Sequence, residues 1–143
     1  MSLSTQRWPF SSWLFLACGV WLLGLGAYFM VLRPPLLPED IRYLGASLPD
    51  IQTAVPGLQR WLRRVFAVMG GFMAGAGVLT AFVAARAVPM RARGTGWALA
   101  AAGLFTVVLM SAVNFLIDSD FTWLLLAPSL LWVSGIAAYS AGR

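Results

Sequence analysis

The sequence predicts an all-α integral membrane protein, a single-domain bundle of four transmembrane helices. Hydrophobic residues make up 60% of the 143 residues and charged residues only 10%, whereas about a quarter are charged in ordinary soluble domains. Four long apolar runs interrupt the polar parts of the chain. Because a soluble protein of this composition could not cover its core with polar side chains, we expect lipid to contact much of its surface.

Each run is long enough to cross a hydrocarbon core about 30 Å thick. The predicted spans are residues 12–32, 65–85, 96–117 and 121–139. The first is followed by Arg33, Pro34 and Pro35, which cannot continue a helix. Cys18 could be the modified cysteine at the end of a cleaved lipoprotein signal peptide, but the chain stays apolar well beyond it. We therefore expect an uncleaved span with Cys18 buried inside it.

Residues 33–64 form the longest polar stretch and are predicted to be an interfacial loop with short helices. Pro38 opens the first of these helices and Gly45 ends it. Ser47 precedes the second, with the spacing of a capping box. Residues 58–65 have an apolar face and an arginine-rich face, which predicts a strip lying on the membrane surface before the second span.

Three short stretches carry a family resemblance. They are Leu37-Pro38-Glu39-Asp40, Tyr43-Leu44-Gly45 and Val68-Met69-Gly70-Gly71-Phe72-Met73. They resemble segments of small uncharacterised bacterial four-helix inner-membrane proteins. The resemblance implies a bacterial origin and this architecture, and it brings no activity and no catalytic residue.

The residue types that the chain lacks exclude several kinds of catalytic and metal-binding site. All ten basic residues are arginine, and the chain has no histidine, no lysine and a single cysteine. Imidazole ligands, Schiff bases, disulfides and thiolate clusters are therefore excluded, and we predict no catalytic, cofactor-binding or metal-ligating residue. A hard cation held by carboxylates stays open. The arginines are scattered between apolar runs, which argues against a nucleic-acid partner.

Arginine also bears on orientation. Four spans put both termini and the second loop on one side, with five arginines and no acid, while the other side has five arginines and all five acids. The density of arginine in the short second loop favours cytoplasmic termini. We expect a multi-pass protein of the bacterial inner membrane.

The candidate polar site lies at the end of the third span and in the first loop. Its members are Ser111, Asn114, Asp118, Asp120, Arg60, Arg63 and Arg64. We expect mainly structural roles: an interhelical hydrogen bond from Asn114, ion pairs beneath the long loop, and Asp120 as N-cap of the fourth span. The alternative is a polar cavity that binds a lipid headgroup or a small metabolite.

Small residues in the second span predict a close helix contact. They are Gly70, Gly71, Ala74 and Gly75. Small residues let helix backbones approach in lipid. The contact could lie inside the bundle, which we favour, or between two copies of the chain.

We expect a non-enzymatic role, as an accessory or assembly factor or as a subunit of a larger complex. No span has an ionisable residue in its middle, which argues against a proton relay or an exporter. The alternative is a small lipid- or metabolite-binding carrier, and less favoured is a membrane enzyme that uses carboxylates near Asp118. The expected partners are membrane lipid and other membrane proteins or further copies of the chain.

Overall fold

The computed structural model describes residues 8–142, and its regular structure is helical. The helices are α1 (Phe10–Val31), α2 (Pro38–Leu44), α3 (Leu48–Ala54), α4 (Leu58–Met90), α5 (Thr95–Leu116) and α6 (Thr122–Ala141). Of these, α1, α4, α5 and α6 are long and apolar enough to cross a membrane. The chain is therefore a multi-pass membrane protein with the predicted four-helix fold.

The second membrane helix is longer than expected. α4 has 33 residues, which at 1.5 Å per residue gives a length of about 50 Å. A hydrocarbon core of about 30 Å cannot hold all of it, so its first turns extend beyond the bilayer. The strip at residues 58–64 continues α4 in helical register because no proline or glycine interrupts it. It is not a separate segment lying on the membrane surface.

The two short helices of the first loop form as the sequence predicts. The backbone N–H of Leu37 donates to the Asp40 carboxylate at 2.7 Å, which satisfies a free donor at the start of α2. Gly45 ends α2 in the left-handed conformation, with φ of 66°. Ser47 caps α3, where its Oγ accepts a hydrogen bond from the backbone N–H of Asp50.

α1 lies at the centre of the arrangement. It packs along α4 on one side and against α6 on the other, and α5 packs against α6. The buried core follows this order, and Phe15 of α1 meets Trp132 of α6 edge to face, with ring centroids 5.4 Å apart. The core residues are Phe15, Cys18, Leu22, Ala84, Val88, Leu99, Val107, Trp132 and Tyr139.

Trp132 also fixes the position of α5. Its indole Nε1 donates to the carbonyl of Leu99 at 2.9 Å. A Cβ on Gly103 would overlap the same indole ring, so only glycine leaves room for it. The stretch Leu104–Val108, directly after this contact, is π-helical.

The contact between α1 and α4 is made by backbone. A Cβ on Gly70 would lie 2.5 Å from the carbonyl oxygen of Gly26, and a Cβ on Gly77 would lie 2.6 Å from that of Gly19. Both distances are far below van der Waals contact, so side chains larger than hydrogen do not fit. Ala74 lies in the same contact, facing Gly26. We name this contact the glycine interface.

Gly71 and Gly75 lie elsewhere. A Cβ built on either meets no atom within 4 Å, and both residues are exposed on the outer face of α4. Of the four small residues predicted to pack, Gly70 and Ala74 therefore face α1, while Gly71 and Gly75 have no neighbour inside the bundle. The physical reason is helix geometry, because adjacent residues point about 100° apart.

Substitution of neighbouring glycines by alanine should separate the two faces of α4. Gly70→Ala should lower the stability of the detergent-solubilised protein by about 1–3 kcal/mol, because the new methyl group forces the helices apart. Gly71→Ala should be neutral or slightly stabilising, because alanine is the better helix former and nothing opposes its Cβ. Thermal unfolding of both variants measures this, and equal losses would contradict the assignment of the faces.

Candidate functional site

The end of the bundle that carries the first loop, here called the long-loop end, holds the predicted polar residues. There α2 lies against the turn between α5 and α6. Glu39 is only 6% exposed, and its carboxylate accepts hydrogen bonds from Ser119 Oγ at 3.1 Å and from the backbone N–H of Asp120 at 2.9 Å. A buried carboxylate needs such donors, so Glu39 fixes α2 to this turn.

Arg42 makes the second link between the same elements. It lies three residues after Glu39, on the same side of α2. Its guanidinium donates to both carboxylate oxygens of Asp120, at 2.8 and 3.2 Å, and to the backbone carbonyl of Asp118 at 3.3 Å. This hydrogen-bonded pair lowers the pKa of Asp120 and raises that of Arg42. We name Glu39, Arg42, Ser119 and Asp120 the α2 clasp.

The clasp changes the expected roles of two acids. The N-cap of α6 is Phe121, and no side chain caps that helix, so Asp120 pairs with Arg42 instead of capping. Asp118 stands in the left-handed region with φ of 51°, a conformation that aspartate tolerates in turns. Its backbone, and not its carboxylate, contacts Arg42.

Arg33 is held by α2 and by α4. Its guanidinium bonds the carboxylate of Asp40 at 3.2 Å, and its Cζ lies 3.7 Å from the centroid of the Phe66 ring and 5.3 Å from that of Phe29. Its side chain is only 8% exposed. A cation over two aromatic faces is stabilised by their electron density. Arg33 therefore joins the end of α1 to both α2 and α4.

Arg60, Arg63 and Arg64 lie in a different place. They line a cavity of about 620 Å³ beside the first turns of α4. In the described part of the chain no ion pair joins them to Asp118, Asp120 or any other acid. The structure thus separates these arginines from the α2 clasp, which contains Asp120. Their cavity is lined by Met30, Pro56, Gln59, Arg60, Arg63, Arg64 and Ala67.

Ser111 of the candidate polar site forms the interhelical bond that was expected of Asn114. Ser111 Oγ lies 2.7 Å from Ser129 Oγ and 2.8 Å from the carbonyl oxygen of Leu125, and Ser129 Oγ lies 2.7 Å from the carbonyl oxygen of Val107. The two hydroxyls join α5 to α6 inside the bundle. Asn114 turns back on its own helix and donates to the carbonyl of Met110 at 2.8 Å.

Two grooves mark the outer surface of the membrane helices. The groove on α4, here called the outer glycine groove, has a volume of about 530 Å³ and is lined by Val68, Gly71, Phe72, Gly75, Ala76 and Leu79. A second groove, of about 700 Å³, runs along α1 between Trp13 and Tyr28. Within it the indole Nε1 of Trp21 is buried and has no hydrogen-bond partner. Both grooves are almost wholly apolar.

Sequence reasoning expected ion pairs beneath the long loop, and the pair of Arg42 with Asp120 is one of them. It missed the contacts of Glu39 and Ser129. The spacing of Glu39 and Arg42 places both on one face of α2, which was a signal for a joint contact. Ser129 follows Pro128 in the middle of a membrane span, where a hydroxyl needs a partner. Among residues 8–142, no group of three or more acidic or thiol side chains is arranged to hold a metal ion.

Comparisons with protein-family models, curated proteins and solved structures found no match for this chain. The expected bacterial inner-membrane family therefore stays a prediction.

The clasp should make stability depend on pH. Because the pKa of Asp120 is lowered from its ordinary 3.8, its pairing stabilises the fold above that value and is lost as the pH falls through the lowered pKa. Asp120→Asn should lower the melting temperature at neutral pH and have little effect in strong acid. Asp118→Asn is the matched control, expected to change little at any pH. A gap between wild type and Asp120→Asn that persists unchanged into strong acid would contradict this role.

Proposed function

We propose that the chain is an accessory or assembly factor, or a subunit, of a membrane protein complex, and that it binds a transmembrane helix of another protein. The outer glycine groove carries this proposal. Gly71 and Gly75 are one turn apart, exposed, and without a neighbour in the fold. We further propose that the protein resides in the bacterial inner membrane with both termini in the cytoplasm.

The groove suits a helix better than it suits lipid chains. Lipid gives membrane helices no hydrophobic drive to associate, so close backbone contact and many small dispersion gains must hold them together. The glycine interface uses this device inside the bundle, through Gly70 and Gly77. Gly71 and Gly75 are four residues apart, like Gly70 and Ala74, but lie about 100° further around α4, where an incoming helix would meet backbone without side chains.

The charges of α4 favour a different protein over a second copy. Arg64 lies seven residues, or two turns and about 10 Å, before Gly71 on the same face. In a symmetric pair packed through the groove, the two Arg64 side chains would meet, and α4 contains no acid to separate them. Like charges brought together at an interface are unfavourable. A partner helix that is apolar at the groove and lacks a basic cluster at the level of Arg64 avoids this cost.

The alternative hypothesis, a membrane enzyme that uses carboxylates near Asp118, has less support. Asp120 is engaged by Arg42, and the backbone carbonyl of Asp118 accepts a hydrogen bond from the same guanidinium. The other alternative hypothesis, a lipid carrier, is supported by one observation, the arginine cavity. That cavity lies beside the bundle and not through it, so it suits a bound lipid better than transport across the membrane.

Photocrosslinking in native membranes tests the proposed partner. Benzoylphenylalanine at Phe72, which is 77% exposed at the rim of the groove, should give an adduct with one membrane protein. The same probe at Phe105, which is 72% exposed on α5, should give none. Gly71→Leu or Gly75→Leu should reduce the yield at Phe72 by about tenfold or more, because leucine fills the groove and removes about 1.4 kcal/mol or more of binding.

Three results would contradict the proposal. They are lipid adducts alone at Phe72, identical adducts at Phe72 and Phe105, and an adduct of the chain with itself as the only product. An adduct that persists in both leucine variants would show capture by proximity alone.

A further inference from the structure

The arginine cavity combines three cations on one helix face. Arg60, Arg63 and Arg64 are spaced i, i+3 and i+4, so their side chains project from the same side of α4. The cavity of about 620 Å³ that they line falls within the range of small-ligand sites in proteins. Gln59 adds an amide that can donate and accept hydrogen bonds.

The charge of this cavity is uncompensated in the described residues, unlike that of its neighbours. At the long-loop end, Arg33 is paired with Asp40 and Arg42 with Asp120. The three arginines of the cavity have no such acid. Gln59 and Arg60 also lie in the first turn of α4, where the helix dipole adds partial positive charge. The site therefore selects an anion.

The position of the cavity relative to the bilayer indicates the class of anion. Met30 stands one residue before the end of α1 at Val31, so the cavity opens where the chain leaves the hydrocarbon core. Met30 and Ala67 form its apolar wall. Trp61, the residue after Arg60, is 61% exposed, as is usual for an indole at the headgroup level. A ligand with a charged phosphate and an apolar tail matches both walls.

We propose that the arginine cavity binds the phosphate of an anionic phospholipid of the phosphatidylglycerol type. The guanidinium groups of Arg60 and Arg63 donate paired hydrogen bonds to the phosphate oxygens, Gln59 contacts the headgroup hydroxyls, and the acyl chains follow Met30 and Ala67 into the bilayer. The site neighbours the outer glycine groove without including Gly71 or Gly75, so it does not depend on the proposed partner helix.

Binding of short-chain lipids to the detergent-purified protein tests the site. Dioctanoyl phosphatidylglycerol should bind the wild type more tightly than dioctanoyl phosphatidylcholine. In Arg60→Gln/Arg63→Gln its affinity should fall by about fivefold for each arginine removed. The control Arg86→Gln/Arg93→Gln carries the same change of net charge at the other end of α4 and should bind like the wild type. Melting temperature and gel filtration establish that each variant is folded, and the single variants replace the double one if it does not fold.

Several results would overturn the assignment. Equal affinities of the wild type and Arg60→Gln/Arg63→Gln would remove the arginines from the site. Equal binding of the two lipids would remove the selectivity for charge. Displacement of phosphatidylglycerol by inorganic phosphate at comparable concentrations would identify a soluble phosphate, and not a lipid, as the ligand.

Discussion

Membrane helices gain nothing from hiding apolar surface from water, so this fold depends on how closely α1 and α4 can approach. Gly19 and Gly26 of α1 meet Gly77 and Gly70 of α4 at backbone distance. That contact places α1 between α4 and α6, and α6 in turn carries α5. The remaining contacts fill space around this arrangement. A methyl group at any of the four glycines would require the backbones to separate.

Polar groups then fix the relative positions of helices that dispersion contacts alone would allow to slide past one another. In hydrocarbon each hydroxyl or indole N–H needs an acceptor, and Ser111, Ser129 and Trp132 find theirs across the α5–α6 contact. Outside the hydrocarbon, Glu39 and Arg42 fasten the first loop to the α5–α6 turn. These links use Glu39 and Asp120, and a third acid, Asp40, pairs with Arg33. The arginine cavity and the outer glycine groove are two of the features that the described part of the fold leaves without partners.

The sequence predicted the structure well where residues close together in the chain determine it. It predicted the structure poorly where contacts between residues far apart in the chain determine it. Pro38, Gly45 and the paired prolines after Arg33 mark helix ends by their own backbone limits. The faces of α4 could not be assigned, because small residues occur on both sides and only the position of α1 distinguishes them. Asp120 looked like an N-cap by its position, but Arg42, 78 residues away in sequence, engages it instead. Side-chain partners at that separation depend on the assembled bundle.

Cross-linking between α1 and α4 tests the central contact most directly. Phe29 and Phe66 have ring centroids 6.0 Å apart, and Cys18 is the chain's one cysteine, so a Cys18→Ala background allows engineered pairs. In native membranes, Phe29→Cys with Phe66→Cys should form an intramolecular cross-link with a short bifunctional reagent. The control pair, Phe29→Cys with Phe72→Cys, should not, because Phe72 lies on the outer face of α4. Efficient cross-linking of the control pair, with none between positions 29 and 66, would contradict the arrangement of helices described here.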